Sequence, residues 1–522
     1  MPNMFLAAGF IVVLGWFIAR FQAMVNNRKR SDIRYAPGPS AKSASWIWGH
    51  ELQVFQGQAL ELYSKWMYTF GPLIKIKAAL FHSDLIVVGD HAAVQHIFAN
   101  IFTYMKSPSL RPLVANTVGE GLVWADGEDH VFQRHLLSPA FTLENVKEMA
   151  DDISECAEML ESTLTNLVLS NAGAVTLNIV PYTSLCTLDI IGRVAFGHDF
   201  KFGESIESRE ITGAWDHLMN TGLTFGGFLG PIVIRAFPPS VSDSLKYVQS
   251  QGRVKAITET LARRIIEDGS QNEKRMNILS VLLKSQGKTG GLSKSQILDN
   301  ISTFIMAGYE TTATALDFAL MELARSPGVQ QKLRDEVQQS RDANSFGDFQ
   351  KLKYLDAVTK EILRLFPSVP VTERVAMKDD ILPLSTPIRM SNGTLSTSFK
   401  VQKGQVLQIP LMTINTNPKV WGEDAGEFRP ERWLTPNAMP PSSELPHGWS
   451  NMVTFVDGPR LCIGYRIAVF EFKVILATLI RSLEFHSTDA TVNRKLVMQN
   501  ILPVVDGKAG VLPLRITLAS HT

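Results

Sequence analysis

Phe455-Val-Asp-Gly458-Pro-Arg460-Leu-Cys462-Ile-Gly464 decides how this chain is read, because it sets one cysteine between glycines, two residues after an arginine, at the start of a long apolar run. From Ile463 to about Leu483, in IGYRIAVFEFKVILATLIRSL, Ile, Val, Phe and Leu recur at helical spacing and predict a helix with one face suited to a core. Cys462 then stands at the N-terminal end of that helix. There, unpaired N–H groups and the positive end of the dipole favour a thiolate that can hold a metal. Gly458 and Gly464 remove side chains where a flat ligand could approach the backbone. Arg460 supplies a fixed charge suited to a carboxylate, and Phe455 can close one side of the sulfur from water.

A free cysteine standing alone is usually just a buried apolar residue. In this order and spacing, however, F-x-x-G-x-R-x-C-x-G resembles the haem-binding signature of the cytochrome P450 superfamily, with Phe455, Gly458, Arg460, Cys462 and Gly464 all matching. The resemblance implies haem b with Cys462 as the axial ligand of its iron. It also implies a mainly α fold with a small β lobe (α+β).

Four further segments extend it to nearly the whole chain. Tyr354 to Phe366 predicts an amphipathic helix stopped by Pro367, with Glu361 and Arg364 three apart on one face. With Arg432 from WGEDAGEFRPERW they look like the family's buried charged network, which is structural. Trp433 stands where many relatives have Phe. Ser293 caps a predicted helix from about Lys294 to Arg325, and Ala307-Gly308-Tyr309-Glu310-Thr311-Thr312 within it looks like the oxygen-activating motif. The resemblance gives Thr311 a hydrogen bond to the oxygen being activated and Glu310 a share in proton relay. Gly308 is expected to leave room for a small ligand or water. Trp124 to Arg134 begins a helix in which His130 and Arg134 share a face; by resemblance these two, and Arg374, contact the haem propionates. Ile501 to Gly507, followed by VLPLRITL, reads as a turn between extended segments, where relatives place a hairpin whose tip lines the substrate pocket.

Composition is consistent with one large unit. At 522 residues and 45% hydrophobic content, no linker-like, low-complexity or repeated segment divides the chain after residue 40. Net charge is +1 and no long basic run lies outside the N-terminal region, which excludes nucleic acid as a partner class. Cys156, Cys186 and Cys462 are the only cysteines and form no C-x-x-C pair, so a disulfide framework is not expected. His91 and His96, like His130 and His135, face apart on a helix and offer no rival metal site.

Met1 to Ala19 carries no charged side chain, and Arg20, Arg28, Lys29, Arg30 and Arg34 follow it. Residues 1–25 are therefore expected to be a single-pass transmembrane anchor and 26–40 a basic, Pro-rich hinge, with 41–522 as the haem-thiolate monooxygenase domain on the cytoplasmic side. Thr221 to Pro239 is too broken by Gly and Pro for a spanning helix, and reads as a loop that dips into lipid and gates the pocket. The resemblance implies O2 as co-substrate and electrons from a separate NADPH-dependent reductase in the endoplasmic reticulum, because the chain holds no flavin or nicotinamide fingerprint. Arg466 and Lys473 are candidates for the reductase's docking face. The apolar pocket segments imply a lipophilic small-molecule substrate. GPRLCIGYRIAVFEFK resembles fungal membrane members of the family, many of which act on terpenoids and other secondary metabolites; the resemblance makes terpenoid hydroxylation the leading expectation, with a fatty acid or an aromatic xenobiotic as alternative substrates. Two other readings stay open: a haem-thiolate isomerase or dehydratase of oxygenated lipids, and a non-catalytic membrane haem protein.

Overall fold

The structure is a computed structural model that describes residues 15, 32–80, 82–108, 110–236, 246–269, 277–285, 291–340 and 345–520. The expected anchor lies outside the described residues apart from position 15, and no helix among the described residues is long and apolar enough to cross a membrane. Helices dominate, joined by four small sheets among the described residues.

The largest sheet draws on segments far apart in the chain. Its strands lie in the order Leu73–Ile76, Leu85–Val88, Val406–Ile409, Thr372–Ala376 and Tyr104–Lys106. Leu85–Val88 runs parallel to Val406–Ile409, and the other pairs are antiparallel. All four residues of Leu85–Val88 are buried, which explains an unbroken apolar run where a half-buried strand would alternate. At the far edge Lys106 stands opposite Arg374, a like-charge pair that a sheet does not favour unaided. Residues 32–40 pack against this lobe: Ile33 and Ala36 are buried, and Lys75 N donates to Pro37 O at 2.8 Å. Near the C-terminus the expected turn falls at Asp506 and Gly507, between Asn500–Val505 and Lys508–Ala509, with Asn493–Val497 as the third strand; the strand of VLPLRITL, Pro513–Leu518, pairs instead with Ala174–Asn178 and Leu483–His486.

The core is organised around Lys294–Arg325. Ser293 caps it with a reciprocal pair of bonds, Gln296 N to Ser293 Oγ at 3.2 Å and Ser293 N to Gln296 Oε1 at 2.9 Å. From Asn300 to Met321 every residue of this helix is buried except Ala307, Gly308 and Thr311. The room expected at Gly308 is already filled: a Cβ there would lie 2.6 Å from Cγ1 of Ile191, at the end of helix Val180–Ile191. On the side that faces Ile191, Gly308 is therefore needed for close helix packing.

One expected loop is a helix. Phe225–Ala236 is helical despite Pro231, because its Phe228 packs on Trp48 and Phe55, at ring separations of 5.8 and 5.2 Å. Its Arg235 also grips Glu51 through Nη1 at 3.0 Å and Nη2 at 2.7 Å. Tertiary contacts here outweigh the weak helix propensity of Gly and Pro.

Candidate active site

The helix after the cysteine runs Tyr465–Ser482 with Gly464 at its N-cap, so Cys462 sits in the turn just before the helix and not in its first residue. That turn is held tightly. Cys462 N donates to Phe455 O at 2.8 Å, and Gly458 takes φ +62° where a Cβ would come within 3.2 Å of Phe98 O. Val456 takes φ +63°, strain for a β-branched residue. Gly458 thus serves the turn, while a Cβ on Gly464 would meet only the Phe141 ring, at an ordinary 3.8 Å. The ring of Phe455 lies edge-on to Trp449, with centroids 5.3 Å apart.

Cys462 is accessible, yet enclosed by enough protein that burial is the largest influence on its thiol, pushing its pKa up. The N–H groups of Gly464 and Tyr465 and the charge of Arg134 act in the opposite direction without prevailing. The helix-end N–H groups expected from sequence are present but weaker than burial: in the apoprotein the thiol form is favoured, and a cation at the sulfur is needed to hold the thiolate. Cys462 is accessible, and so are Ala307, Gly308 and Thr311 on the otherwise buried Asn300–Met321 stretch of the long helix; these are the candidate walls of one hollow. Phe141 connects the two walls, touching the space beside Gly464 and lying 5.5 Å, ring to ring, from Phe304 of the long helix.

The motif residues on that helix divide between two directions. Thr311 Oγ1 donates to Ala307 O at 2.8 Å, within the helix. Glu310 is buried, and its neighbours are Tyr309 and, from helix Ile206–Gly222, Trp215 and Asp216. Burial lifts its pKa to about 7, Asp216 adds to the rise, and Trp215 and Tyr309 oppose it.

A second constellation gathers cations around one carboxylate. Arg460 Nη1 donates to Ala125 O at 2.8 Å, and its Nη2 pairs with Asp126. Lys106 Nζ donates to the same carbonyl at 2.7 Å and lies 3.5 Å from Asp126 Oδ1. Arg111 stacks 3.9 Å over Trp124 and approaches Asp126 at 3.9 Å. Arg374 is buried, donating to Thr372 Oγ1 and Glu373 O at 2.8 Å each. Glu373 meanwhile accepts from Ser107 and from Gln408 Nε2. Burial, then Arg460, push Lys106 well down, and burial, again with Arg460, brings Arg374 to about 10. His130 is buried with no partner for Nδ1, and burial followed by Arg460, Lys106, Arg134 and Arg374 holds it near 3 and neutral. Arg134 itself donates to Leu461 O at 2.6 Å and so steadies the cysteine turn.

Sequence singled out His130, Arg134, Arg374 and Arg460 but missed Lys106, Arg111 and Asp126. Lys106 and Arg374 meet only through strand pairing, which no local pattern signals.

The charged network assembles as expected. Arg364 meets both oxygens of Glu361, at 2.9 and 2.8 Å, Arg432 Nε reaches Glu361 at 3.4 Å, and all three are fully or almost fully buried. Arg364 also donates to Asn415 O and Ala425 O, and Arg432 Nη1 pairs with Asp424 at 3.1 Å. Trp433, noted as a departure, donates its indole N–H to Glu361 at 2.9 Å. Lys473 is not a docking residue: it is buried and donates to Asp356 at 2.7 Å. Arg466 is exposed.

The cytochrome P450 family model matches residues 39–505. This chain belongs to the cytochrome P450 family. Cytochrome P450 monooxygenase 205 of Postia placenta is 31% identical over 483 residues, 88% of each chain. Cytochrome P450 monooxygenases claQ and claO of Ampulloclitocybe clavipes are 30% and 31% identical, each over 97% of both chains. As a P450 monooxygenase the chain takes a haem-thiolate cofactor and O2. Its residues fit that group: the sulfur is accessible, and Lys106, Arg111, Arg374 and Arg460 bring more positive charge than Asp126 and Glu373 balance, as a ligand with two carboxylates requires.

Proposed function

We propose that this P450 binds haem b through Cys462 and hydroxylates a lipophilic small molecule, terpenoids being the first class to test. In this reading it is anchored in the endoplasmic-reticulum membrane by residues 1–25 and draws electrons from NADPH through a separate reductase. The reading rests on one observation: an accessible sulfur in the signature turn and an accessible patch, Ala307, Gly308 and Thr311, on a stretch of the long helix that is otherwise buried.

Bound haem supplies the redox chemistry that puts one oxygen atom into a C–H bond and releases the other as water. The chain supplies the setting. Cys462 ligates the iron, and the N–H groups of Gly464 and Tyr465 and the Arg134 charge lower the cost of a thiolate that burial alone disfavours. Arg374, Arg460 and Lys106 hold the two haem carboxylates, which supply the counter-charge this cluster lacks, and neutral His130 offers them Nδ1. Thr311 keeps a proton at Oγ1, directed to Ala307 O until oxygen competes for it. Glu310, near 7, both gives and takes protons at neutral pH. Phe141 and Phe304 keep water out and favour an apolar substrate. Exposed Trp46, Ile47 and Phe225 suit a lipid surface, and Arg466 suits an acidic reductase face.

The test is expression in microsomes with a reductase, followed by mass spectrometry across terpenoids, fatty acids and aromatic compounds. The expected outcome is products that have gained one oxygen atom, at the expense of NADPH and O2. Product formed with neither would establish the isomerase or dehydratase instead.

A further inference from the structure

Thr311 is held from outside its own helix. Ser368, three residues beyond helix Lys353–Leu365, donates its hydroxyl to the Thr311 carbonyl at 2.6 Å. It is the only acceptor recorded for that hydroxyl among the described residues. A carbonyl oxygen carries two acceptor positions, and helical geometry uses one of them for the N–H four residues on. Ser368 occupies the second, at the short end of the O–H···O range.

The donor is itself fixed on two sides. Glu361 and Arg364, in the helix just before it, are locked in the buried ion network. Beyond it, Ile501 N of strand Asn500–Val505 donates to Ser368 O at 3.0 Å. One residue therefore ties the rigid ion network and the C-terminal hairpin to the one position of the long helix whose hydroxyl is accessible at the hollow. Thr187 makes a comparable approach to Tyr309 O at 2.9 Å, but its single proton is shared with Thr183 O and Ser184 O of its own helix. Ser368 has no such competitor.

We propose that Ser368 is a positioning residue for oxygen activation, fixing the backbone at residue 311 so that the Thr311 hydroxyl stays aimed at the hollow. The inference rests on the proposed role of Thr311. Because the Thr311 carbonyl keeps its helical partner when the hydroxyl is removed, the loss should change position and local mobility more than global stability.

The experiment uses the haem-loaded full chain as Ser368→Ala, Ser368→Thr and, for reference, Thr311→Ala. The first readout is amide hydrogen exchange over residues 311–316 in the resting protein, which involves no turnover. The second uses reductase and NADPH with no added substrate, and measures the share of consumed O2 recovered as hydrogen peroxide. There, O2 with two electrons and two protons gives peroxide, whereas four electrons and four protons give two waters, with NADPH as the reductant in both cases. Ser368→Ala is expected to speed exchange several-fold and to raise the peroxide share several-fold towards that of Thr311→Ala, at unchanged haem content. Ser368→Thr, which keeps the hydroxyl at this half-buried position, is expected to restore both. Unchanged exchange and peroxide share in Ser368→Ala, with Thr311→Ala still raising peroxide, would overturn the inference and leave the proposed function intact. If Thr311→Ala itself leaves the peroxide share unchanged, the role given to Thr311 fails, and Ser368 fails with it as an oxygen-activation residue, whatever its exchange shows.

Discussion

Two buried charge clusters in this protein are built on opposite plans. Around Glu361 the charges close on themselves: Arg364, Arg432 and the Trp433 indole saturate one carboxylate, and spare guanidinium N–H groups end on backbone carbonyls and Asp424. Around Asp126 they do not close, since Lys106, Arg460 and Arg111 converge on one carboxylate with Arg374 nearby and His130 driven neutral. A saturated buried network holds a fold together, whereas an unbalanced one stores repulsion until a ligand of opposite charge arrives. The first cluster is a fastening complete in the apoprotein, and the second is a socket.

The largest effect is expected at Glu361. Glu361→Gln leaves the buried Arg364 guanidinium without its charge partner and Arg432 with Asp424 alone, and about 3–5 kcal/mol of stability should be lost, read as a collapse of the denaturant midpoint and of soluble yield. At the socket the expected sign depends on loading. Lys106→Met should raise the thermal midpoint of the apoprotein, by relieving crowding of cations, and yet speed haem transfer from the holoprotein to apomyoglobin several-fold. Destabilisation of both forms would show that Lys106 belongs to the fastening type.

A smaller effect comes from the acid beside Thr311. Folding raises Glu310 from 4.5 to about 7, so the folded chain binds more protons in that window and stability falls as pH rises through it. Glu310→Gln should flatten that slope in denaturation curves taken from pH 4.5 to pH 7. The smallest effect is at the surface. Arg263→Ala, which removes an exposed pair with Glu259 at 2.7 Å, should cost about 0.3–0.5 kcal/mol and vanish at high salt.

What could be read in the sequence follows the range of the forces involved. The Ser293 cap, the length of the long helix and the turn before Tyr465 depend on neighbours a few residues away, and each shows in local pattern. The fastening was legible as residue types at family spacing, and its Trp433 member finds its reason in the bond to Glu361. The socket was only half legible, because Lys106 and Arg374 become neighbours through a strand register between segments far apart in the chain. Long-range packing also explains the misread positions: Ile191 pressed into Gly308, the helix preserved around Pro231, and Lys473 drawn inward to Asp356. The bond from Ser368 to Thr311 belongs to the same class, since nothing near either residue in sequence points to the other.

Whether Cys462 holds the haem is decided by the carbon monoxide difference spectrum of the reduced protein, recorded for the wild type beside Cys462→Ala at equal protein concentration. The wild type should show the strongly red-shifted Soret band of thiolate-ligated haem, and the variant should lose it. An equally intense red-shifted band in Cys462→Ala, or no Soret absorption at all in the wild type, would contradict the account.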